Sequence, residues 1–191
     1  MPRNVEIKAQ LPRRADVEDR IAALADSGPV VLKQVDHFYR VDEGRLKLRE
    51  INGEHAELIF YHRADLAGPK TSDYRRVPVA HPADLGQLLG EALQVVGTVK
   101  KTRTLYLIGQ TRLHLDEVEG LGDYLELEVV LEASQTESIG QAIALELMTK
   151  LGIRQEDLVE GAYIDHLGRE FAPPSLPTQG WTGVRPFRSF A

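Results

Sequence analysis

The chain has no cysteine in its 191 residues. Disulfides, thiolate metal sites and a cysteine nucleophile are thereby excluded, and any metal must sit on oxygen or imidazole ligands. Long apolar runs are missing too. No stretch approaches the ~20 apolar residues of a membrane span, and the opening MPRNVEIKAQ lacks the apolar run of a signal peptide, so a cytoplasmic protein with no membrane partner is expected. Nor is there a surplus of positive charge. The net charge of −6 speaks against a nucleic-acid partner, whose phosphates require a basic surface. No P-loop, dinucleotide fingerprint or serine elbow occurs. None of the six histidines (His37, His55, His62, His81, His114, His166) falls at the spacing of a zinc motif. Phosphate recognition would therefore use side chains and metals.

What the chain does contain is period-two alternation of charged and apolar residues. It is densest in residues 110–128, QTRLHLDEVEGLGDYLELE, where alternating segments flank Gly120-Leu121-Gly122 as an antiparallel hairpin does. Arg112, His114 and Asp116 share one strand face, and Glu126 and Glu128 share another. Two carboxylates at that spacing, about 6.7 Å, repel by about 2.5 kcal/mol at an effective dielectric of ~20. Such a pair must either face water or be neutralised by cations.

Residues 4–10 read as a strand with Asn4, Glu6 and Lys8 on one face. Pro12 opens a helix along Val17, Ile21 and Leu24, stopped by Gly28-Pro29. Strand returns over 31–41 and over RLKLREI, where Arg45, Lys47 and Arg49 alternate with leucines. Asn52-Gly53 predicts a two-residue hairpin into AELIFYHR, which ends on Tyr61 and Arg63. Lys70 falls on a flexible loop before SDYRRVPV, the fifth strand. Pro82 starts a second helix with Leu85, Leu88, Leu89 and Leu93 on one side. A long strand over 95–108 carries Lys101 and Arg103, and the hairpin's second strand runs to about Leu131. A third helix covers 137–151 with Gly152 as its C-cap, and a short helical turn follows near 155–160. From Gly168 the segment holds four prolines and three glycines. It reads as a mobile tail over 168–191 without assigned function, leaving one domain over 1–167.

Periodicity alone leaves two arrangements open. The polar faces could be solvated over an apolar core. Alternatively, the helices could cover the apolar face, since each carries an apolar stripe that must land on something apolar, and a closed barrel would then enclose the charges. That lumen would hold Lys8, Arg45, Lys47, Arg49, Arg63, Lys101, Arg103 and Arg112 with Glu6, Asp116, Glu126 and Glu128. Charge buried at this density costs more than pairing returns. A polyanion bound through Mg²⁺ or Mn²⁺ would account for both signs, with Lys and Arg on phosphate oxygens and carboxylates on the metal.

Four elements in order, VEIK, RLKLRE, VKKTRTLYLIG and LDEVEGLGDYLELE, resemble the CYTH superfamily, the triphosphate tunnel metalloenzymes that include class IV adenylyl cyclases and thiamine triphosphatases. The resemblance covers about residues 3–167. It implies an α+β fold, an eight-stranded antiparallel β-barrel forming a triphosphate tunnel with helices packed outside. It makes Glu6, Glu126 and Glu128 metal ligands, with Asp116 supporting the same site. Lys8, Lys47, Arg49, Lys101, Arg103 and Arg112 become the phosphate-binding set, joined by Arg63 and Lys70, with Arg75 or Arg76 a further member. Lys8, Glu126 and Glu128 become the catalytic residues. Asn4 stands where the family motif Glu-x-Glu-x-Lys has its first carboxylate, Tyr61 stands where many members have lysine, and SDYRRVPV lacks the usual Arg-x-Glu.

The expected function is divalent-metal-dependent hydrolysis of a small triphosphate: inorganic tripolyphosphate, thiamine triphosphate or a nucleoside triphosphate. Conversion of ATP to cyclic AMP and pyrophosphate is one alternative, and noncatalytic binding of polyphosphate or nucleotide is another. His114, between Arg112 and Asp116, could donate to phosphate or transfer a proton. Homodimerisation is left open.

Overall fold

The computed structural model describes residues 3–167. The expected tail over 168–191 lies outside them. In chain order the elements are β1 (Arg3–Gln10), α1 (Arg14–Leu24), β2 (Ser27–Tyr39), β3 (Arg45–Ile51), β4 (His55–Arg63), β5 (Lys70–Pro78), α2 (Pro82–Ala92), β6 (Val95–Ile108), β7 (Thr111–Val118), β8 (Gly122–Leu131), α3 (Glu137–Leu151), a 3₁₀ turn (Gln155–Asp157) and α4 (Tyr163–His166). The strands close into one barrel in the order β1-β5-β4-β3-β2-β6-β7-β8. Every pairing in the ring is antiparallel.

Alternation decides which way each side chain points, and the helices decide which side is dry. Val5, Ile7 and Ala9 of β1 join Leu113, Leu115, Leu125 and Leu127 of β7 and β8 in a fully buried layer beneath α1 and α3. Each such leucine contributes roughly 1.5–3 kcal/mol on leaving water. A second layer, with Tyr39, Leu48 and Ala56, lies under Leu85, Leu89 and Leu93 at α2. With the outer face occupied, the charged face turns inward. Close approach of α3 depends on Gly140, where a Cβ would lie 2.7 Å from side-chain atoms of both Leu131 and Val5.

Three local expectations differ from the structure. Helix α1 begins at Arg14 and leaves Pro12 outside, and Gly28-Pro29 lie within β2 rather than ending the helix. The long β6 needs a partner along its length, so β2 starts early and pairs Ser27 with Leu107. Gly28, at φ +111°, supplies the irregularity there, because a Cβ would meet the Leu105 carbonyl oxygen at 2.7 Å. The Asn52-Gly53 turn is a three-residue connection with Ile51 opposite His55. Asn52 is held to β2: its Oδ1 accepts from the Lys33 N–H, and its own N–H donates to the Lys33 carbonyl, both at 2.8 Å. Finally, Lys70 is on no flexible loop. It begins β5, opposite Glu6, and is almost wholly buried.

Candidate functional site

The inward side chains line a cavity of about 270 Å³, close to the lower end of the ~300–1,000 Å³ usual for small-molecule sites. Two matching triads supply much of its positive charge. On β3, Lys47 and Arg49 stand two residues apart, and Asp36 of β2 is opposite Arg49 in register. Arg49 donates from Nε and Nη2 to Asp36 at 2.6 and 2.7 Å, and Lys47 Nζ donates at 3.0 Å. On β6, Arg103 donates to Asp116 of β7 at 2.7 and 2.6 Å, and Lys101 donates at 3.2 Å. The two-point geometry fixes each guanidinium in its plane.

Burial alone would raise both aspartates. Arg49 and Lys47 nevertheless hold Asp36 well below the usual carboxylate range, and Arg103 and Lys101 do the same for Asp116. The lysines respond in the opposite sense. Burial, aided by Arg49, pushes Lys47 down to about 7 against the pull of Asp36. Burial pushes Lys8 down to about 8 against the pull of Glu126.

The acidic wall lies on β8 and β1, with Glu6 opposite Glu128 and Lys8 opposite Glu126. Glu126 accepts from Arg103 and lies 3.7 Å from Lys8 Nζ. Burial would raise it, but Arg103 and Lys8 hold it well below the carboxylate range. Glu128 takes Arg112 at 2.9 Å. Glu6 accepts from Arg63. Its pKa is still raised, because burial outweighs that cation and Glu126 and Glu128 add repulsion. His114 of β7 completes this wall. Burial and then Arg103 lower its pKa against the pull of Glu128.

A divalent cation fits these residues. His114, Glu126 and Glu128 each present one ligand atom, all within 4.8 Å of one another. The carboxylate oxygens of that set suit Mg²⁺ or Mn²⁺. Asn4 adds a buried side-chain oxygen that has no hydrogen-bond partner among the described residues.

The barrel brings most of the expected residues together. Glu6, Lys8, Lys47, Arg49, Arg63, Lys101, Arg103, Arg112, Glu126 and Glu128 all line the cavity. Of Arg75 and Arg76, Arg76 is the one among its lining residues. Asp116 is fully buried, and its oxygens are taken by Lys101, Arg103 and the Tyr163 hydroxyl. It is linked to Glu126 through the shared Arg103. Lys70 donates to the Leu66 carbonyl at 2.7 Å, and Arg45 reaches Asp65 and Asp165.

Two residues escape a reading of the sequence. Asp36 shares the inward parity of Gln34 and Phe38, which is the signal that could have found it. Tyr163 has none, since it follows the barrel on a short helix. Its hydroxyl donates to Asp116 at 3.0 Å, and the Lys8 ammonium lies 3.9 Å from its ring centroid. The segment before it is tied to β1 by a Val159 N–H to Lys8 carbonyl bond of 2.9 Å. Lys8 Nζ in turn donates to the Gly161 carbonyl at 3.3 Å.

A barrel of eight antiparallel strands with a charged lumen can be compared with known proteins, and the profile of the CYTH domain matches residues 2–163. The chain belongs to the CYTH family. Members of this family are triphosphatases or class IV adenylyl cyclases, depend on divalent metal and bind small triphosphates. Among solved structures, the PH1012 protein of Pyrococcus horikoshii superposes with a TM-score of 0.77 at 23% identity, covering 86% of this chain and 99% of that one. A Vibrio parahaemolyticus protein provisionally named an adenylate cyclase gives 0.72 at 17% identity, covering 86% and 97%. A Hippeastrum protein, provisionally named an adenylyl cyclase and described as having dominant triphosphatase activity, gives 0.59 at 16%, covering 86% and 94%. At these identities the likeness is one of fold. Comparison with curated proteins finds no match. Among the described residues no helix is long and apolar enough to cross a membrane.

Proposed function

We propose that this CYTH tunnel hydrolyses a small triphosphate with the help of Mg²⁺ or Mn²⁺. One observation carries the reading. In a ring of eight strands, β3 lies four places from β8 in either direction, so Lys47 and Arg49 face Glu126 and Glu128 across the lumen. A triphosphate between these walls meets cations on one side and a metal-holding carboxylate cluster on the other.

Glu6, Glu126 and Glu128 are the carboxylates proposed to hold the metal, which when bound supplies positive charge where negative charge develops on the phosphoryl oxygens. The chain's own residues do the rest. Arg49 and Arg103, fixed in plane by Asp36 and Asp116, grip the polyphosphate oxygens without reorganising. Arg63 and Arg112 extend the grip along the lumen, and Lys8 places charge near the departing oxygen. Water attacks the terminal phosphorus, the bridging P–O bond breaks, and orthophosphate leaves.

A cyclase reading draws on the provisional names of the Vibrio and Hippeastrum relatives. There the ribose 3′-hydroxyl attacks the α-phosphorus and pyrophosphate leaves. A binder without turnover draws on Asn4, which removes one formal charge from the acidic wall. The test gives purified protein ATP, thiamine triphosphate and tripolyphosphate with Mg²⁺ or Mn²⁺ and follows orthophosphate, pyrophosphate and cyclic AMP. Orthophosphate alone is the expected result. Cyclic AMP with pyrophosphate, or tight binding with no product, overturns it.

A further inference from the structure

We propose that His114 is itself a metal ligand, joining Glu126 and Glu128 in a mixed nitrogen and oxygen site that favours Mn²⁺ over Mg²⁺. The inference rests on the reading of the tunnel as a metal site and deepens it by naming a donor and a selectivity.

The geometry at Nδ1 is the starting point. This atom lies 3.9 Å from Glu126 Oε2 and 3.9 Å from Glu128 Oε1. Both distances are too long for a hydrogen bond, and Nδ1 has no bonding partner among the described residues. His114 is only 5% exposed. A buried polar nitrogen left bare is costly, yet it is aimed between two carboxylates, of which Glu126 shares its facing oxygen with Arg103. Glu128 gives Oε2 to Arg112 and turns Oε1 toward the ring. Donor atoms on one cation at ~2.1 Å stand about 3.0 Å apart when adjacent and about 4.2 Å when opposite. At 3.9 Å from each oxygen, Nδ1 lies between these two spacings, so a cation among the three donors would draw them together by less than about 1 Å.

The other expected donors are engaged too. Glu6 is bonded by Arg63, and Asp116 is enclosed by Lys101, Arg103 and Tyr163. Position 114 offers an unused donor two residues before Asp116, and that donor is an imidazole. Mg²⁺ takes oxygen ligands and keeps its waters, whereas an imidazole donor shifts preference toward first-row transition ions, of which Mn²⁺ is the one that also suits a carboxylate set. The choice of metal follows from the atom supplied.

The experiment needs no turnover. Full-length protein is loaded with Mn²⁺, with and without tripolyphosphate, and pulsed electron paramagnetic resonance is used to seek ¹⁴N coupling that becomes ¹⁵N coupling on ¹⁵N-histidine labelling. Calorimetry compares Mn²⁺ with Mg²⁺ in wild type, His114→Ala and His114→Asp. Histidine nitrogen coupling is expected in wild type. In His114→Ala, Mn²⁺ affinity should fall at least about tenfold, the loss that even an outer-shell partner produces, with a smaller change for Mg²⁺. His114→Asp should shift preference toward Mg²⁺. Bound Mn²⁺ without histidine coupling overturns the proposal and leaves the proposed function standing if Glu126→Ala still abolishes metal binding. No Mn²⁺ binding under either condition overturns this proposal, and no binding of either Mn²⁺ or Mg²⁺ overturns both. The spectrum is taken on the wild-type protein, so the outcome does not depend on a variant folding.

Discussion

Asp36 lies directly across from Arg49 and accepts two of its guanidinium N–H bonds, at 2.6 and 2.7 Å. It also takes the Lys47 ammonium at 3.0 Å, so one buried anion holds two cations ready for a ligand. Asp36→Asn keeps the shape and removes the charge, leaving both cations uncompensated. Loss of one partner from a buried ion pair costs about 3–5 kcal/mol, and urea unfolding should show a loss of that size. Tripolyphosphate should then raise the melting temperature of the variant more than that of wild type, because phosphate oxygens replace the missing carboxylate. Unaltered stability would show that the triad is not held together as described.

Glu126 is the point where the acidic wall and the second triad meet, through Arg103. Glu126→Ala should lower metal-dependent kcat by on the order of 100-fold or more, the scale of removing one preorganised electrostatic group. Circular dichroism should confirm that the barrel persists. Wild-type turnover in this variant sinks the assignment of Glu126.

Lys47 sets a pH dependence. Its neighbours are Asp36, Arg49 and Lys101, with the Tyr61 ring centroid 5.6 Å from Nζ. Burial depresses its folded-state pKa to about 7 from the ordinary 10.5 of a lysine. Only the ammonium attracts phosphate, so tripolyphosphate affinity should fall as pH rises from 7 to 9. Binding near pH 8 should take up on the order of one proton, measurable by calorimetry in buffers of different ionisation enthalpy. The stability sign follows from the same shift. Between pH 7 and 10.5 the folded chain holds fewer protons at Lys47 than the unfolded chain, so this group makes stability rise with pH across that window. Lys47→Met should reduce both the uptake and that slope, leaving the part that Lys8, pushed down to about 8, contributes.

Gly140 tests the outer packing. Alanine there would ordinarily favour a helix by about 1 kcal/mol, but its Cβ would lie 2.7 Å from Leu131 and Val5 side-chain atoms. Overpacking at such a site costs about 1–3 kcal/mol, so Gly140→Ala should lower the urea midpoint. A raised midpoint would mean that α3 can move off the barrel.

Much of this architecture is legible in single residues. The alternation of Val5 and Ile7 with Glu6 and Lys8, or of Leu125 and Leu127 with Glu126 and Glu128, assigns faces without any structure, because successive strand side chains point opposite ways. The amphipathic helices then assign the apolar face to the outside of the barrel. Boundaries are harder to read where tertiary pairing overrides local signals. Gly28-Pro29 looks like a break but falls at an irregularity inside β2, because β6 pairs with Ser27 before it and with Val30 after it. Lys70 looks like part of a loop but begins β5, because Glu6 lies opposite it.

What the sequence by itself determined is the inventory of the tunnel: which charges point inward, on which strands, and that carboxylates and cations share one face. Only the tertiary structure decided which of them meet. Asp36 finds Arg49 across 13 residues, Arg63 finds Glu6 across 57, and Tyr163 finds Asp116 across 47. These choices rest on register and ring closure, which hydrogen-bonded ladders fix between segments distant in sequence. Period-two alternation specifies a side chain's face and is silent about its neighbour.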